Sequence, residues 1–361
     1  MKWEMGRWRP WGGFSLLFHF RKGNVAGFAG VRRALMRYRK NRKDGTRMGN
    51  KKKKKESLLR RLGKDLRKYA DAYILVVPVV IFYLLFCYKP MYGILIAFKD
   101  FSPAAGIWGS DWTTSYGFQH FIDFFQSYYF ARILKNTLVI SLTSIIFGFP
   151  APIILALLLN ELKNEKFKRV VQTVSYMPHF ISVVVICSMI LMFTSNKGFI
   201  TYLLSLVGGP DFSLLTRPEY FLPIYVLSGI WQEIGWGAII YLAALSGIDQ
   251  ELYEAAKIDG AGRWKQTLYV TLPGISGTII IMLLLRMGNV MNVGFEKVML
   301  LYNEGIYETA DVISTFVYRK GLQDFQWSYS AAVGIFNSVI NFAVVMIFNK
   351  ISRKFSEVSL W

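Results

Sequence analysis

The residues best suited to bind a ligand lie within otherwise apolar sequence. Trp231, Gln232, Glu233 and Trp236 fall within about two turns of a helix. Aromatic faces stack on sugar rings, and carboxylates and amides exchange hydrogen bonds with hydroxyl groups. This group of side chains can therefore hold a polyhydroxylated ligand.

Amide side chains recur in the later apolar stretches of the chain. They are Asn289, Asn292, Asn337 and Asn341. Asn337 and Asn341 are four residues apart, so they share one face of a helix. Polar groups inside apolar helices are costly, and each needs a partner or a water-filled cavity.

Each of these polar residues fits two interpretations when it is taken alone. One is hydrogen bonding between helices, or an ion pair of Arg286 with Glu233 or Glu296. The other is the lining of a path for solute. As a set the residues favour the path, because helices packed only for stability would need fewer polar groups. The hypothesis assigns the path to Glu233, Trp236, Asn289 and Asn337.

The elements that carry these residues are membrane helices. Of the 361 residues, 53% are hydrophobic and 18% charged, and the mean hydropathy is +0.32, which is typical of a membrane protein. By their length, about six stretches can span a bilayer: 72–88, 136–159, 174–193, 222–245, 272–290 and 331–348. Lys89-Pro90 is predicted to end the first, with Met91–Phe98 lying along the outer interface. The fold class is an all-α membrane protein.

The net charge of +20 is concentrated at the N-terminus. Residues 1–72 hold 23 Lys or Arg and 5 Asp or Glu, a net of +18, and the remainder holds +2. We predict a basic cytoplasmic extension over residues 1–65, partly disordered, and a transmembrane domain over 66–361. Residues 1–47 are either a real extension or an over-long start. Nucleic-acid binding by this tail is a weak alternative, because no nucleic-acid fold is recognisable.

The distribution of basic residues predicts the orientation in the membrane. With six spans, the loops at 160–171 and 246–271 and the tail from Asn349 lie on one side, and these short segments contain ten Lys or Arg. Basic residues favour the cytoplasmic side. We therefore predict a multi-pass protein with both termini in the cytoplasm. The two Cys and three His have no metal-ligand spacing, so we predict no metal site.

The loop before the fifth span has the pattern of a short capped helix. Asp249 can cap it, and Gly260 can supply the turn that follows. A second short helix, at about 263–269, is predicted to lead to Pro273 in the first turn of the next span. A helical hairpin of this kind would project into the cytoplasm, where its small residues allow another protein to approach closely.

This loop resembles the coupling loop of ABC importer permeases. Their signature is Glu-Ala-Ala, three residues, Gly, nine residues and Ile-x-Leu-Pro. The chain has Glu254-Ala255-Ala256, Gly260 and Leu272-Pro273 at the same spacing, with Val270 in place of Ile. The string EAAKIDGAGRW, with YKPMYGILIAFKD at 88–100 and TADVISTFVYRKGL at 309–322, is most similar to the maltose-type, oligosaccharide-importing branch. The similarity covers roughly residues 65–361.

The resemblance implies a type I importer permease fold and a role for each motif residue. The coupling helix between helices 4 and 5 would dock on an ATPase through Glu254, Ala255, Ala256, Asp259, Gly260, Leu272 and Pro273. The path residues come instead from the polar and aromatic side chains described above, and the candidates for an oligosaccharide path are Trp231, Gln232, Glu233, Trp236, Asn289, Asn292, Asn337 and Asn341.

The resemblance also implies partners in a bacterial cytoplasmic membrane. They are a second, related permease, two ATPase subunits and an extracellular solute-binding protein. ATP and magnesium would bind to the ATPases, and this chain would have no catalytic residues and no cofactor. Consistently, the sequence contains no phosphate-binding loop of the G-x-x-x-x-G-K-[ST] type.

Three alternatives remain open. A permease for a non-sugar solute would keep the same coupling loop. A secondary transporter would explain the spans but not the loop, and no internal repeat is visible. A membrane-bound enzyme is disfavoured, because no nucleophile and base lie together in the sequence.

Overall fold

The structure is a computed structural model that describes residues 69–355. The predicted basic extension of residues 1–65 lies outside the described residues. The chain divides into two compact units, residues 1–82 and 83–361. The described part is almost entirely helical, with one isolated bridge between Lys99 and Trp112.

The α-helices are numbered along the chain. In the first unit α1 is Ala70–Phe82. In the second unit the helices up to the fourth predicted span are α2 Lys89–Met91, α3 Gly106–Gly109, α4 Gln119–Gln126, α5 Phe130–Gly148, α6 Pro150–Glu161, α7 Glu165–Tyr176, α8 Val183–Phe193, α9 Phe199–Leu206 and α10 Pro218–Ser246. The remaining helices are α11 Gln250–Ile258, α12 Arg263–Gln266, α13 Leu272–Met287, α14 Phe295–Leu301, α15 Tyr307–Ala310, α16 Ile313–Tyr318 and α17 Trp327–Phe355.

All six predicted spans coincide with helices, but they are not alike. Within the described residues, four segments are long and apolar enough to cross a membrane: Ala70–Phe98, Phe130–Glu161, Arg263–Met287 and Trp327–Lys354. A fifth is a bent pair, which corresponds to the third predicted span. The fourth predicted span is α10, whose 29 residues measure about 44 Å, long enough for a bilayer. Its polar Gln232 and Glu233 lower its hydropathy.

The third predicted span, 174–193, is bent, which its bounds in the sequence do not reveal. Glu165–Phe180 and Val183–Phe193 meet at an angle of 99°. Pro178 lies in a 3₁₀ turn at the break, and the Ser182 side chain accepts a hydrogen bond from the backbone N–H of Val185. A proline followed by an N-cap serine ends one helix and starts the next. Helix α7 thus occupies much of what was predicted to be the 160–171 loop.

The prediction that Lys89-Pro90 ends the first helix is wrong. The helical segment continues from Ala70 to Phe98. Its hydrogen-bonding pattern changes at a π turn over Tyr83–Tyr88, and α2 begins immediately afterwards. Pro90 therefore lies in the first turn of α2, where its missing N–H costs no helical hydrogen bond.

The second half of the 246–271 loop differs from the predicted hairpin. Helix α12 runs through a π turn at Thr267–Thr271 directly into α13, so that Arg263–Met287 is one helical segment. No glycine or proline separates α12 from the π turn. The change of pattern places Pro273 in the first turn of α13, which needs no N–H from it.

Helix α10 organises the packing of the second unit. It packs against α5, α6, α7 and α13. One core cluster joins it to α6 and α13 through Ala156, Ala238 and Ile275. Another surrounds Phe221 and includes residues of α8 and α14. The polar middle of α10 is thereby placed between several helices.

Candidate functional site

A cavity of about 620 Å³ lies beside the middle of α10. Its walls come from α5, α6, α10, α13 and the segment that leads into α14. The polar and charged side chains in the lining are Ser141, Ser144, Tyr225, Gln232, Glu233, Tyr241, Arg286, Asn289, Asn292 and Lys297. The volume falls within the range of small-molecule sites in proteins.

Four of the eight residues predicted for the solute path line this cavity: Gln232, Glu233, Asn289 and Asn292. Helix α10 supplies the first two, and the turns after α13 supply the asparagines. Residues that are more than 50 positions apart in sequence therefore face the same space. Their contact with a solute stays a prediction.

Asn337 and Asn341 lie behind the lining and contact Asn292. The Asn337 Nδ2 donates to Asn292 Oδ1 at 2.9 Å, and the Asn341 Nδ2 is 3.4 Å from the same oxygen. Asn341 Oδ1 also accepts the backbone N–H of Met291 at 2.9 Å. The shared helix face predicted from sequence thus fixes a cavity residue from the side of α17.

The two tryptophans of α10 lie outside the cavity lining. Trp236 stacks on His179, with ring centroids 4.4 Å apart and an interplanar angle of 3°. His179 Nδ1 lies 3.0 Å from Glu233 Oε2. Trp236 is therefore linked to the cavity residue Glu233 through His179. Trp231 is 46% exposed.

Sequence reasoning did not assign the two cationic residues of the cavity to the path. Arg286 was considered as an ion-pair partner of Glu233 or Glu296, but Glu233 pairs with His179 instead. Lys297 lies in the short helix α14, where its Nζ donates to the carbonyl oxygen of Tyr225 at 3.1 Å. The sequence signal that could have pointed to Lys297 is a lysine next to the apolar run of α14.

The predicted coupling segment, residues 249–273, contains the helix cap and the glycine turn that the sequence predicts. Asp249 Oδ1 accepts the N–H of Glu251 at 3.1 Å and caps α11. After α11, Gly260 has a φ of +76°. The N–H of Ala261 donates to the carbonyl oxygen of Ala256 at 2.9 Å, which is the closing hydrogen bond of a glycine-ended helix. These contacts define the helix and its turn.

Most of the residues of the coupling segment that are predicted to dock on an ATPase are exposed. Glu254, Ala255, Asp259, Gly260 and Pro273 are exposed, and Ala256 and Leu272 are half-buried. Large apolar side chains are also exposed here: Ile258 at 87% and Trp264 at 80%. The hydroxyl of Tyr253 lies 3.1 Å from that of Thr271 and attaches α11 to the start of the next helical segment. Ile258 lies at the end of α11, so the helix exposes an apolar side chain beside its polar ones.

Comparison with known proteins identifies a family. A family model described as "Binding-protein-dependent transport system inner membrane component" matches residues 148–357. The polygalacturonan/rhamnogalacturonan transport system permease protein YteP of Bacillus subtilis (strain 168) is 44% identical over 312 residues, which cover 86% of this chain and 95% of YteP.

Two solved structures have the same fold. One is a crystal structure of a bacterial ABC transporter involved in the import of the acidic polysaccharide alginate; its matching chain is 44% identical, with a TM-score of 0.75, over 81% of this chain and 99% of that one. The other is a bacterial alginate ABC transporter in complex with an alginate pentasaccharide-bound periplasmic protein. The match has 42% identity and a TM-score of 0.76, and it covers 83% and 100% of the two chains.

Proposed function

The chain belongs to the family of binding-protein-dependent transport system inner membrane components, and we propose that it forms the path by which an ATP-driven importer moves an oligosaccharide across the membrane. The observation that carries the proposal is the capped, exposed helix α11 with its Gly260 turn, located directly before a membrane helix. The relatives with transport of polygalacturonan/rhamnogalacturonan and of alginate in their names support a saccharide as the solute.

Helix α11 would transmit the movement of an ATPase to the membrane helices. Its exposed face would occupy a groove on the ATPase, with Ala255 and Gly260 allowing close approach. The link between Tyr253 and Thr271 and the continuous segment Arg263–Met287 connect this docking point to the cavity lining. Displacement of α11 would therefore move Arg286 and the residues that follow it.

The cavity beside α10 would receive the saccharide. Gln232, Asn289 and Asn292 offer both donors and acceptors to hydroxyl groups, and Glu233 accepts hydrogen bonds. The volume of about 620 Å³ suits a small number of sugar rings. The carrier of the saccharide would be an extracellular binding protein, as in the relative solved with a periplasmic protein.

The remaining subunits follow from this mechanism. A second permease would complete the path, and two ATPase subunits would bind ATP and magnesium. By this account the chain has no catalytic residue and no cofactor of its own. It would lie in the cytoplasmic membrane with α11 on the cytoplasmic side.

Co-purification in detergent with the neighbouring gene products tests the coupling segment. We expect an ATPase and a second permease to co-purify with the wild type. Gly260→Asp places a side chain and a charge in the left-handed turn after α11, and it should release the ATPase while the second permease stays bound.

Gly208→Asp is the matched control. Gly208 has a φ of +79°, close to the +76° of Gly260, and a Cβ at either position meets no atom within 4 Å. Both variants therefore carry the same backbone strain and the same charge, but Gly208 lies in the loop before the fourth span. Retention of the ATPase by Gly260→Asp, or its absence from the wild-type complex, would contradict the proposal.

A further inference from the structure

The charged residues of the cavity include more cations than anions. Two cationic side chains, Arg286 and Lys297, and one carboxylate, Glu233, line it. Glu233 is already engaged by His179 at 3.0 Å. Among residues 69–355, neither Arg286 nor Lys297 forms an ion pair with a carboxylate. The cavity lining therefore carries more positive than negative charge.

Of the two cationic residues, Lys297 gives the stronger evidence for an anion site because it is buried. The residue is only 9% exposed, and its ammonium group has three donors. The contacts of the ammonium group are the carbonyl oxygen of Tyr225 at 3.1 Å and the face of the Tyr225 ring, with its centroid at 4.9 Å. Burial of a charge without a carboxylate in direct contact is costly, and Glu233 acts on this ammonium group only through its charge at a longer distance. An anion in the cavity would remove that cost.

The backbone of α10 passes close to the ammonium group at Gly229. A Cβ at Gly229 would lie 3.5 Å from Lys297 Nζ. Gly229 also lines the cavity. Because glycine carries no side chain here, the ammonium group fits against α10 at the wall of the cavity.

We infer that Lys297 and Arg286 form a carboxylate-binding subsite of the cavity, so that the saccharide carried by this chain is an acidic one. Lys297 would bind the carboxylate as a buried point charge. Arg286, which is exposed and presents a planar set of donors, would bind it in a bidentate manner or bind the carboxylate of the next sugar ring. Gln232, Asn289 and Asn292 would bind hydroxyl groups. This inference rests on the proposed transport function.

Direct binding to the assembled complex in nanodiscs, without the binding protein, tests the subsite. The probes are trigalacturonate and the neutral trisaccharide obtained by reducing its carboxylates to alcohols. We expect the wild type to prefer the acidic probe by about tenfold or more, since each charged hydrogen bond contributes about 1.5–3 kcal/mol. Lys297→Gln retains a donor for the Tyr225 carbonyl oxygen but lacks the charge, and it should lower affinity for trigalacturonate by about 10- to 100-fold.

Affinity for the neutral probe separates binding from a structural role. It should change by less than about threefold in Lys297→Gln, and Lys297→Arg should retain the preference. Arg286→Gln alters an exposed residue and should also reduce the preference. An equal loss for both probes in Lys297→Gln, or a wild type that binds trigalacturonate no better than the neutral sugar, would overturn the inference.

Lys99→Gln is the control for removal of a buried lysine. Lys99 is 5% exposed, donates to the carbonyl oxygen of Ser110 at 2.8 Å and lies over the ring of Trp112. It does not line the cavity, so its loss should leave the preference for the acidic probe unchanged. If the ATPase co-purifies but no acidic preference exists, the transport proposal stands and only the carboxylate subsite is rejected.

Discussion

At the scale of single residues, the buried carboxylate of Asp311 is the principal electrostatic feature outside the cavity. Asp311 is 0% exposed, and its Oδ2 lies 2.7 Å from Arg319 Nη2 and 3.6 Å from Arg132 Nη2. Thr315 donates to its other oxygen at 2.9 Å. Burial lowers the pKa of Arg319, but the hydrogen bond and the charge of Asp311 outweigh it and raise that pKa above its ordinary value. The cluster joins α5 to the segment at 311–319.

We predict that Asp311→Asn lowers the free energy of unfolding by about 3–5 kcal/mol, because two partly buried guanidinium groups lose their counter-charge. Denaturant unfolding in mixed micelles measures the change. Asp324→Asn is the control: Asp324 pairs with Lys320 at the same 2.7 Å, but its side chain is 39% exposed. Its loss should cost less than about 1 kcal/mol. Equal effects of the two substitutions would show that Asp311 is not a structural anchor.

The contacts of Asn292 lead to a second prediction at this scale. Asn337 lies outside the cavity lining and donates to Asn292, so it should act as a positioning residue. Asn337→Ala and Asn292→Ala should each weaken saccharide binding about 3- to 10-fold, because each substitution removes about one hydrogen bond. The double variant should be no weaker than Asn292→Ala alone.

Asn289 supplies the comparison for this pair of single variants and their double variant. It lines the cavity, and it is not the acceptor of the Asn337 side chain. The effects of Asn289→Ala and Asn337→Ala should therefore add. Additive effects for the Asn292 and Asn337 pair would contradict the positioning role.

Residue-scale features were predictable where they depend on neighbours in the sequence. The Asp249 cap and the Gly260 turn involve atoms at most five residues apart, and their residue types are characteristic. The pairing of Glu233 with His179 joins positions that are 54 residues apart. The sequence analysis considered Arg286 as the partner of Glu233, because the bend before α8, which lies next to His179, was not evident from the sequence.

At the scale of helices, the packing of α10 on α7 depends on a glycine. A Cβ at Gly235 would lie 2.1 Å from the carbonyl oxygen of Ser175. Gly235→Ala should therefore force the two helices apart and cost about 1–3 kcal/mol of stability. The melting temperature in detergent measures this change.

Gly334→Ala is the control for the effect of alanine in a helix. Gly334 lies within α17, and a Cβ there meets no atom within 4 Å. This substitution should be neutral or slightly stabilising, because alanine favours the helix. Equal melting temperatures for the two variants would contradict the close approach of α10 and α7.

Helix positions were predictable from hydrophobic length, but helix shape was not. Every predicted span contains a helix, because a bilayer-length apolar run has few other ways to satisfy its backbone. The bend at Pro178 and Ser182 and the continuation through Pro90 depend on local hydrogen-bonding changes. Pro90 and Pro178 have similar apolar surroundings in the sequence, yet the first continues a helix and the second ends one.

At the scale of the whole molecule, the proposed orientation places the Gly208 and Gly260 turns on opposite sides of the membrane. In a background with Cys87 and Cys187 replaced by alanine, a membrane-impermeant maleimide should label Gly208→Cys in intact cells. Gly260→Cys should be labelled only after permeabilisation. The open space at both turns makes the thiols equally accessible, and labelling of Gly260→Cys in intact cells would contradict the proposed orientation.

Uptake into proteoliposomes distinguishes ATP-driven import from transport without ATP. The full chain would be reconstituted with its neighbouring permease and ATPase, and labelled acidic and neutral oligosaccharides would be supplied outside with the binding protein. We expect accumulation that requires ATP inside and the binding protein outside. Gly260→Asp should abolish this accumulation, and Gly208→Asp should retain it. Uptake that proceeds equally well without ATP, or that Gly260→Asp leaves unchanged, would contradict the account and favour a secondary transporter.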